Sequence, residues 1–237
     1  NAWCVGTMFR GFERILKGRA AKDGLVITPR ICGICGTSHL YAAVTALETA
    51  YQCRIAPNAT RIRNLCLMAE EVQSDTRHTF LMFTIDFCNS RYKSHPDYPR
   101  LEEAFAPFNG RIYREVVQHT KKILEVVALF GGQWPHSSYM LPGGVTAVTN
   151  QRDLLRALAI VDDYIRWYEH SILGCSSEQW LAMQTVSDFN QLSETIVAKS
   201  GGSGSGLLDG LWRKKRPSEA LPPPSGVALF TSFGRAI

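Results

Sequence analysis

The sequence lacks long apolar segments, a marked excess of charge of one sign, and internal repeats. Its apolar runs, such as residues 126–130, are far shorter than the roughly 20 residues that cross a bilayer, so we expect no transmembrane segment. The 26 Lys and Arg residues against 21 Asp and Glu residues give a net charge of only +5, which is too small to indicate nucleic-acid binding. With 45% hydrophobic and 20% charged residues among 237, a disordered or fibrous chain is excluded.

Signs of secretion are also missing. Seven cysteines are an odd number, in a chain too large to need disulfide staples. Only Cys32 and Cys35 are close in sequence, which indicates a reducing compartment, and we expect a cytoplasmic location. The chain begins without Met and without the basic and apolar regions of a signal peptide, so we expect Asn1 to lie inside a longer protein.

Helical periodicity dominates the chain up to about residue 180. We expect helices over 12–16, from Thr37 or Ser38 as N-cap to about 53, and over 57–86, 113–130 and 153–170. The apolar residues predicted for the longest helix recur at three- and four-residue steps: Ile62, Leu65, Ala69, Val72, Thr76, Phe80, Phe83 and Phe87. Residues 25–28 are expected to be extended before Pro29, and 89–99 and 133–148 to be loops. The predicted fold class is mostly α, a helix bundle.

Two segments of different character divide the chain. Residues 1–199 carry the predicted helix bundle. Residues 200–237 contain a Gly/Ser-rich stretch, a basic cluster and consecutive prolines, which predict a flexible or irregular segment with one strand at 227–233. We expect this second segment to continue into a C-terminal part of a larger subunit.

The stretch 30–39, Arg-Ile-Cys-Gly-Ile-Cys-Gly-Thr-Ser-His, carries the strongest chemical signal. Two thiolates separated by two residues can bind one soft or borderline metal ion from a single turn. His39 lies four residues after Cys35, so one helical turn brings its ring toward that sulfur. Arg30 has the charge to neutralise the thiolates. The spacing therefore favours a metal site at Cys32 and Cys35.

Other interpretations of the pair stay open on spacing alone. A zinc site needs two more ligands, and a second Cys-x-x-Cys or His-x-His pair is missing from the sequence. A thioredoxin-like dithiol needs an alternating β/α context, whereas the surroundings here are helical. The third interpretation is that the two cysteines are close in sequence by coincidence and have no shared function.

The same stretch resembles the first cysteine motif of nickel–iron hydrogenase large subunits, and the resemblance extends over about residues 1–180. Residues 8–19 resemble the Phe-Arg-Gly-x-Glu segment of that family. Residues 57–65 are similar to the start of its long bundle helix, and residues 131–145 resemble a loop of the cyanobacterial-type uptake enzymes. The resemblance implies the large-subunit hydrogenase fold, built on a long-helix bundle with short peripheral strands.

Residue roles follow from the resemblance. Cys32 would be a terminal nickel ligand, and Cys35 would bridge nickel and an iron that carries carbon monoxide and cyanide. His39 would donate a hydrogen bond toward the bridging sulfur, with Arg30 beside the site. Glu13 matches a carboxylate at a buried magnesium ion, since hard oxygen ligands suit that cation. The alternative for Glu13 is a local ion pair with a neighbouring arginine.

The resemblance also implies the reaction and the partners. The reaction is H2 ⇌ 2H+ + 2e−, and the electrons would leave through iron–sulfur clusters held only by a separate small subunit, because this chain has too few cysteines for them. Further association of such heterodimers, and membrane association through partners, are compatible with the family. The family's second cysteine motif, Asp-Pro-Cys-x-x-Cys-x-x-His, and its upstream Arg-x-Glu-Gly motif are missing from the sequence. A non-catalytic hydrogenase-related subunit and a zinc-binding structural module are therefore the alternatives.

Overall fold

The computed structural model describes residues 2–3, 5–7, 9–95 and 98–199. Residues 200–237, including the strand expected at 227–233 and the segment predicted to be flexible, lie outside the described residues.

Helices make up most of the described chain. They are α1 (Phe12–Leu16), α2 (Gly24–Ile27), α3 (Gly36–Tyr51), α4 (Pro57–Arg77), α5 (Tyr98–Phe105), α6 (Arg111–Ile123), α7 (Glu125–Gly131), α8 (Gln151–Trp167), α9 (Ser177–Leu181) and α10 (Val186–Lys199). Single turns of 3-10 helix cover Ala21–Asp23, Thr28–Arg30, Thr84–Cys88 and Ser90–Tyr92, and π-helical turns cover His78–Phe83 and Tyr168–Leu173. The strands are β1 (Met140–Leu141) and β2 (Gly144–Val145). The predicted mostly α class is confirmed.

The chain divides into two compact units, of which the first comprises residues 1–74 and 121–160. Helix α3 buries one of its faces in this unit. The buried residues, among them Leu40 and Val44, recur at three- and four-residue steps, as in an amphipathic helix. Val126, Val127 and Phe130 of α7 add fully buried apolar side chains. This unit carries the cysteine pair.

A short hairpin belongs to the first unit. β1 pairs with β2 in antiparallel register, with Met140 opposite Val145. The connecting turn places Gly143 at φ 83°, the left-handed region that glycine adopts without a steric cost, and Pro142 precedes it as in type II turns. The hairpin supplies the short strands that the sequence resemblance implied.

The second unit comprises residues 75–120 and the described residues from 161 onward. Its core is aromatic: Phe105 stacks against Phe80 with ring centroids 6.5 Å apart and meets Phe87 edge-on at 6.3 Å. Tyr164 donates or accepts a 2.7 Å hydrogen bond with Thr76, so its buried hydroxyl is satisfied.

Three local expectations differ from the structure. Thr28 is helical, at φ −63° and ψ −36°, instead of extended, because Pro29 occupies the first turn of a 3-10 helix, where a missing N–H costs nothing. Residues 98 and 99, the end of the loop expected over 89–99, instead begin helix α5, with Pro99 again in the first turn. The helix expected over 57–86 is α-helical only to Arg77 and continues as π and 3-10 turns.

None of the helices within the described ranges combines the length and apolar character that crossing a bilayer requires.

Candidate metal centre

The cysteine pair lies on a turn between the 3-10 segment Thr28–Arg30 and helix α3. Cys35 is the residue immediately before the first helical residue, Gly36. The sulfur of Cys32 accepts hydrogen bonds from the backbone N–H of Ile34 at 3.4 Å and of Cys35 at 3.2 Å. Both thiols are free and half-buried. The turn therefore brings the two sulfurs together while leaving them partly accessible.

The two thiols differ in acidity. Burial opposes ionisation of Cys32, but hydrogen bonds from the Cys35 thiol and from two backbone amides outweigh it, so the pKa of Cys32 lies below its usual 9.0. Burial, together with the neighbouring Cys32 sulfur, raises the pKa of Cys35 to about 12. Metal binding must displace the thiol protons, because only thiolates are good ligands.

Arg30 and His39 lie close to the turn in sequence, but within the described part of the chain their side chains form no hydrogen bond with either sulfur. The exposed Arg30 guanidinium donates to the backbone carbonyl of Val26. The backbone N–H of His39 donates to the carbonyl of Cys35 at 3.3 Å, within the first turn of α3. A partner for the His39 imidazole is absent from the described ranges.

Glu13 is exposed on the short helix α1. The guanidinium of Arg10 lies 5.0 Å from the ring centroid of Phe12, and that of Arg14 lies 5.4 Å from the ring centroid of Phe9. Among the described residues, neither arginine forms an ion pair with Glu13, so the local pair considered as its alternative role is not formed.

Glu70 binds the first residues of α3, next to the cysteine turn. The sequence analysis did not single out this residue. Its side chain is on α4 and only 1% exposed. One carboxylate oxygen accepts from the backbone N–H of Thr37 at 3.1 Å and from the indole N–H of Trp134 at 3.1 Å. The other accepts from the N–H of Ser38 at 3.2 Å. Glu70 therefore satisfies two of the unpaired amides at the start of α3, and neither residue expected as N-cap does so.

A second buried network supports the other end of α3. The guanidinium of Arg63 donates to both oxygens of Glu48, at 3.1 and 2.8 Å. The same guanidinium donates to the carbonyls of Leu141 and Gly144 at 2.7 Å each, and Gly143 N–H donates to Glu48 at 2.8 Å. Such a bidentate pair, with further hydrogen bonds to the hairpin, fixes α3, α4 and the hairpin relative to one another. Among the described residues the buried Nε atom of Arg63 has no hydrogen-bond partner.

A family profile described as nickel-dependent hydrogenase matches residues 10–97, which include the whole cysteine turn. The periplasmic [NiFeSe] hydrogenase large subunit of Desulfomicrobium baculatum is 32% identical over 163 residues, covering 62% of this chain and 32% of that subunit. The hydrogenase-2 large chain of Escherichia coli is 30% identical over 179 residues, covering 68% of this chain and 32% of its own. The chain belongs to the nickel-dependent hydrogenase family.

Solved structures agree with this family membership. A structure of the [NiFeSe]-hydrogenase of D. baculatum matches 68% of this chain and 36% of its own, with a TM-score of 0.61 and 28% identity. The uptake hydrogenase large subunit of Cupriavidus necator is 31% identical over 186 residues, covering 73% of this chain and 29% of its own. The chain therefore has the helical fold of hydrogenase large subunits, and it spans about a third of the length of these relatives.

The donor set fits part of a nickel–iron centre. Nickel and low-valent iron favour soft thiolate ligands, and Cys32 and Cys35 offer two adjacent sulfurs on one turn. Among the residues that the structure describes, no group of three or more His, Cys, Asp or Glu side chains could hold a metal ion. The turn can supply two ligands of such a centre.

The polar face of α4 is the part of the site that sequence reasoning missed. The predicted apolar face included Val72, which is 40% exposed, whereas Arg63, Glu70 and Gln73 are 1% exposed or less. These three residues follow one another at steps of seven and three, which is helical spacing. A search for polar residues at helical spacing from apolar positions such as Cys66 would have found them.

Gly36 provides a direct test of how tightly the turn is packed. A Cβ at this position would lie 2.9 Å from the carbonyl oxygen of Pro29, whereas a Cβ at Gly33 would meet nothing within 4 Å. We expect Gly36→Ala to destabilise the protein by about 1–3 kcal/mol, because backbone must move, and Gly33→Ala to be nearly neutral. Chemical denaturation of both variants measures the difference, and equal stabilities would contradict this packing.

Proposed function

We propose that this chain is the metal-site part of the catalytic large subunit of a nickel–iron hydrogenase that cleaves H2 reversibly and heterolytically to protons and electrons. The observation that carries the proposal is the half-buried Cys32–Cys35 turn at the start of α3, within the residues that the family profile matches. Two sulfurs that are adjacent and partly accessible can bind a metal centre together, which a chance pair of buried cysteines could not do.

In this proposal Cys32 would hold the nickel, and Cys35 would hold both the nickel and the iron. The bound centre, with carbon monoxide and cyanide on its iron, would supply the Lewis acidity and redox capacity for H2 cleavage. The chain's own contribution is to hold two sulfurs at fixed spacing. Both backbone amides that donate to Cys32 lower the charge density on its sulfur. His39 stands one helical turn after Cys35 and would orient toward the bridging sulfur, and Arg30 would lie beside the centre.

The partner in this proposal is a small subunit that carries the iron–sulfur clusters. Exposed apolar side chains support a protein interface on the first unit: Met68 and Val72 on α4, and Leu154, Leu155 and Leu158 on α8, are each 40–59% exposed. Clustered exposed apolar residues of this kind mark interaction surfaces. Heterodimers would form through them, with any larger assembly built from heterodimers.

The location that we propose is cytoplasmic, with membrane association only through partners. Its support is the free state of the described cysteines, which suits a reducing compartment. Within the proposed larger subunit, residues 1–199 form the metal-site and helix-bundle part, and residues 200–237 lead into its C-terminal part.

Glu13 is proposed as a magnesium ligand and not as a proton relay. We expect Glu13→Gln to lower the magnesium content and to slow H2 turnover by about tenfold, because an amide lacks the charge that a hard divalent cation prefers. Metal analysis and turnover of the complete enzyme measure both effects, with Glu71→Gln, an exposed carboxylate on α4, as the control. Magnesium content and turnover equal to wild type would rule out the assignment.

The proposed reaction is tested by H2-dependent dye reduction and by H2/D2O exchange with the complete protein and its small subunit. Both activities are expected. Removal of the small subunit should abolish dye reduction, which needs electron transfer through the clusters, but not exchange, which needs only the metal site. Removal of the metal should abolish both. Thiol–disulfide exchange without H2 activity would indicate a redox dithiol. Absence of both activities would favour a non-catalytic hydrogenase-related subunit.

A further inference from the structure

We propose that Glu70 is a positioning residue, which holds the Cys32–Cys35 turn in place by binding the first turn of α3. The metal-binding role of that turn rests on the function proposed above. The positioning of the turn by Glu70 does not rest on that function, so the positioning role and the proposed function can fail separately.

Helix α3 has no cap of its own. Its N-cap residue is Cys35, and the Cys35 side chain makes no capping hydrogen bond. The amides of Thr37 and Ser38 donate instead to the two oxygens of Glu70, 33 and 32 residues along the chain. A carboxylate at a helix N-terminus also interacts favourably with the partial positive charge there. Loss of Glu70 therefore leaves the helix without its cap directly beside Cys35.

The opposite side of the turn is held by the loop after α7. The indole of Trp134 donates to the same Glu70 oxygen that binds Thr37. The Nδ1 atom of His136 and the carbonyl oxygen of Pro29 are 2.8 Å apart. That carbonyl is also the atom that a Cβ at Gly36 would meet. Glu70 thus joins the cysteine turn to both α4 and this loop through charge-assisted hydrogen bonds, which are stronger than neutral ones.

A purely structural role is the competing explanation, and Glu48 is its internal reference. Like Glu70, Glu48 is buried, at 5% exposed, and belongs to a buried hydrogen-bond network that holds α3. Unlike Glu70, it acts about three helical turns after Cys35. Loss of Glu48 should therefore destabilise the unit without a selective effect at the turn. Glu71 is the exposed neighbour of Glu70 on α4 and controls for loss of charge alone.

The experiment compares Glu70→Gln, Glu48→Gln and Glu71→Gln in the complete protein. Hydrogen exchange followed by mass spectrometry reports on the amides of residues 36–39, and alkylation by iodoacetamide after metal removal reports on the accessibility of Cys32 and Cys35. Nickel retained after a chelator challenge reports on the metal site. Thermal unfolding of each variant reports on global stability.

For Glu70→Gln we expect exchange at Thr37 and Ser38 to be about tenfold faster, as for loss of one charge-assisted hydrogen bond. Alkylation of both cysteines should accelerate, and nickel retention should fall more than thermal stability does. Glu48→Gln should lower thermal stability without selective exchange at 36–39, and Glu71→Gln should resemble wild type.

Two results would overturn the positioning role. One is unchanged exchange and alkylation at the turn in Glu70→Gln, and the other is the same local change in Glu48→Gln. If wild-type protein holds no nickel, the proposed function fails, and exchange and alkylation at the turn still decide the role of Glu70.

Discussion

Cys35→Ser is expected to abolish retention of nickel and iron and, with it, H2 turnover, a loss of more than about 100-fold. Losses of 10–100-fold already follow removal of groups that only support a ligand, and Cys35 is proposed to bind both metals. A serine hydroxyl is a hard donor that stays protonated at neutral pH, so it cannot replace a bridging thiolate. Metal analysis of the purified complete protein, combined with dye reduction under H2, measures the loss.

The matched control for this substitution is Cys175→Ser. Cys175 is also free and half-buried, it lies in the second unit, and its pKa is raised by burial and by Glu169, as expected for a cysteine that packs as a thiol. Its replacement should leave metal content and turnover near wild type. Full nickel and iron in Cys35→Ser would remove the assignment of the site.

Arg63→Met is expected to be the most destabilising single substitution in the first unit, at about 3–5 kcal/mol, because it leaves a buried carboxylate without its cation. Arg63 is 1% exposed and Glu48 is 5% exposed, and two hairpin carbonyls lose their donor in the same change. Equilibrium denaturation of the complete protein gives the free energy of unfolding. Arg61→Met, an exposed arginine on the same helix, should change it by less than about 0.5 kcal/mol.

The Arg63–Glu48 ion pair also predicts how the stability difference between wild type and Arg63→Met depends on pH. Burial opposes ionisation of Glu48, but hydrogen bonds from Arg63 and Gly143 outweigh it and hold its pKa below the usual 4.5. A carboxyl with a lowered folded-state pKa contributes stability above its unfolded pKa and loses it as the pH falls through the folded-state pKa. The stability difference between wild type and Arg63→Met should therefore shrink below about pH 4.5. A difference that persists unchanged in acid would show that the ion pair is not its source.

Helices were predictable where local sequence determines them. The helix expected from Thr37 or Ser38 to about 53 is α3, which covers Gly36–Tyr51. The helical stretch expected to end at residue 130 ends with α7 at Gly131, and Gly132 follows at φ 78°. The missed helix α5 and the helical Thr28 have one cause. Proline favours a break in local sequence patterns, although it also fits the first turn of a helix, where its missing N–H has no partner to lose.

The candidate site was predictable only in its local part. Spacing alone brings Cys32 and Cys35 onto one turn. The sequence favours Thr37 or Ser38 as the N-cap of α3. In the structure both residues donate their backbone N–H groups, and the acceptor is the Glu70 carboxylate on another helix. Contacts between residues more than 30 positions apart leave no trace in local spacing, because tertiary packing creates them. The Arg63–Glu48 pair is only 15 positions apart, but it too joins two different helices and is created by tertiary packing.

The most direct measurement of the central claim is the metal content of the purified complete protein, determined for nickel, iron and zinc in one sample. The claim that Cys32 and Cys35 hold half of a nickel–iron centre predicts nickel bound to the large subunit, accompanied there by iron in equal amount, with zinc at background and both metals lost in Cys35→Ser. Zinc alone, or nickel that stays bound in Cys35→Ser, would contradict it.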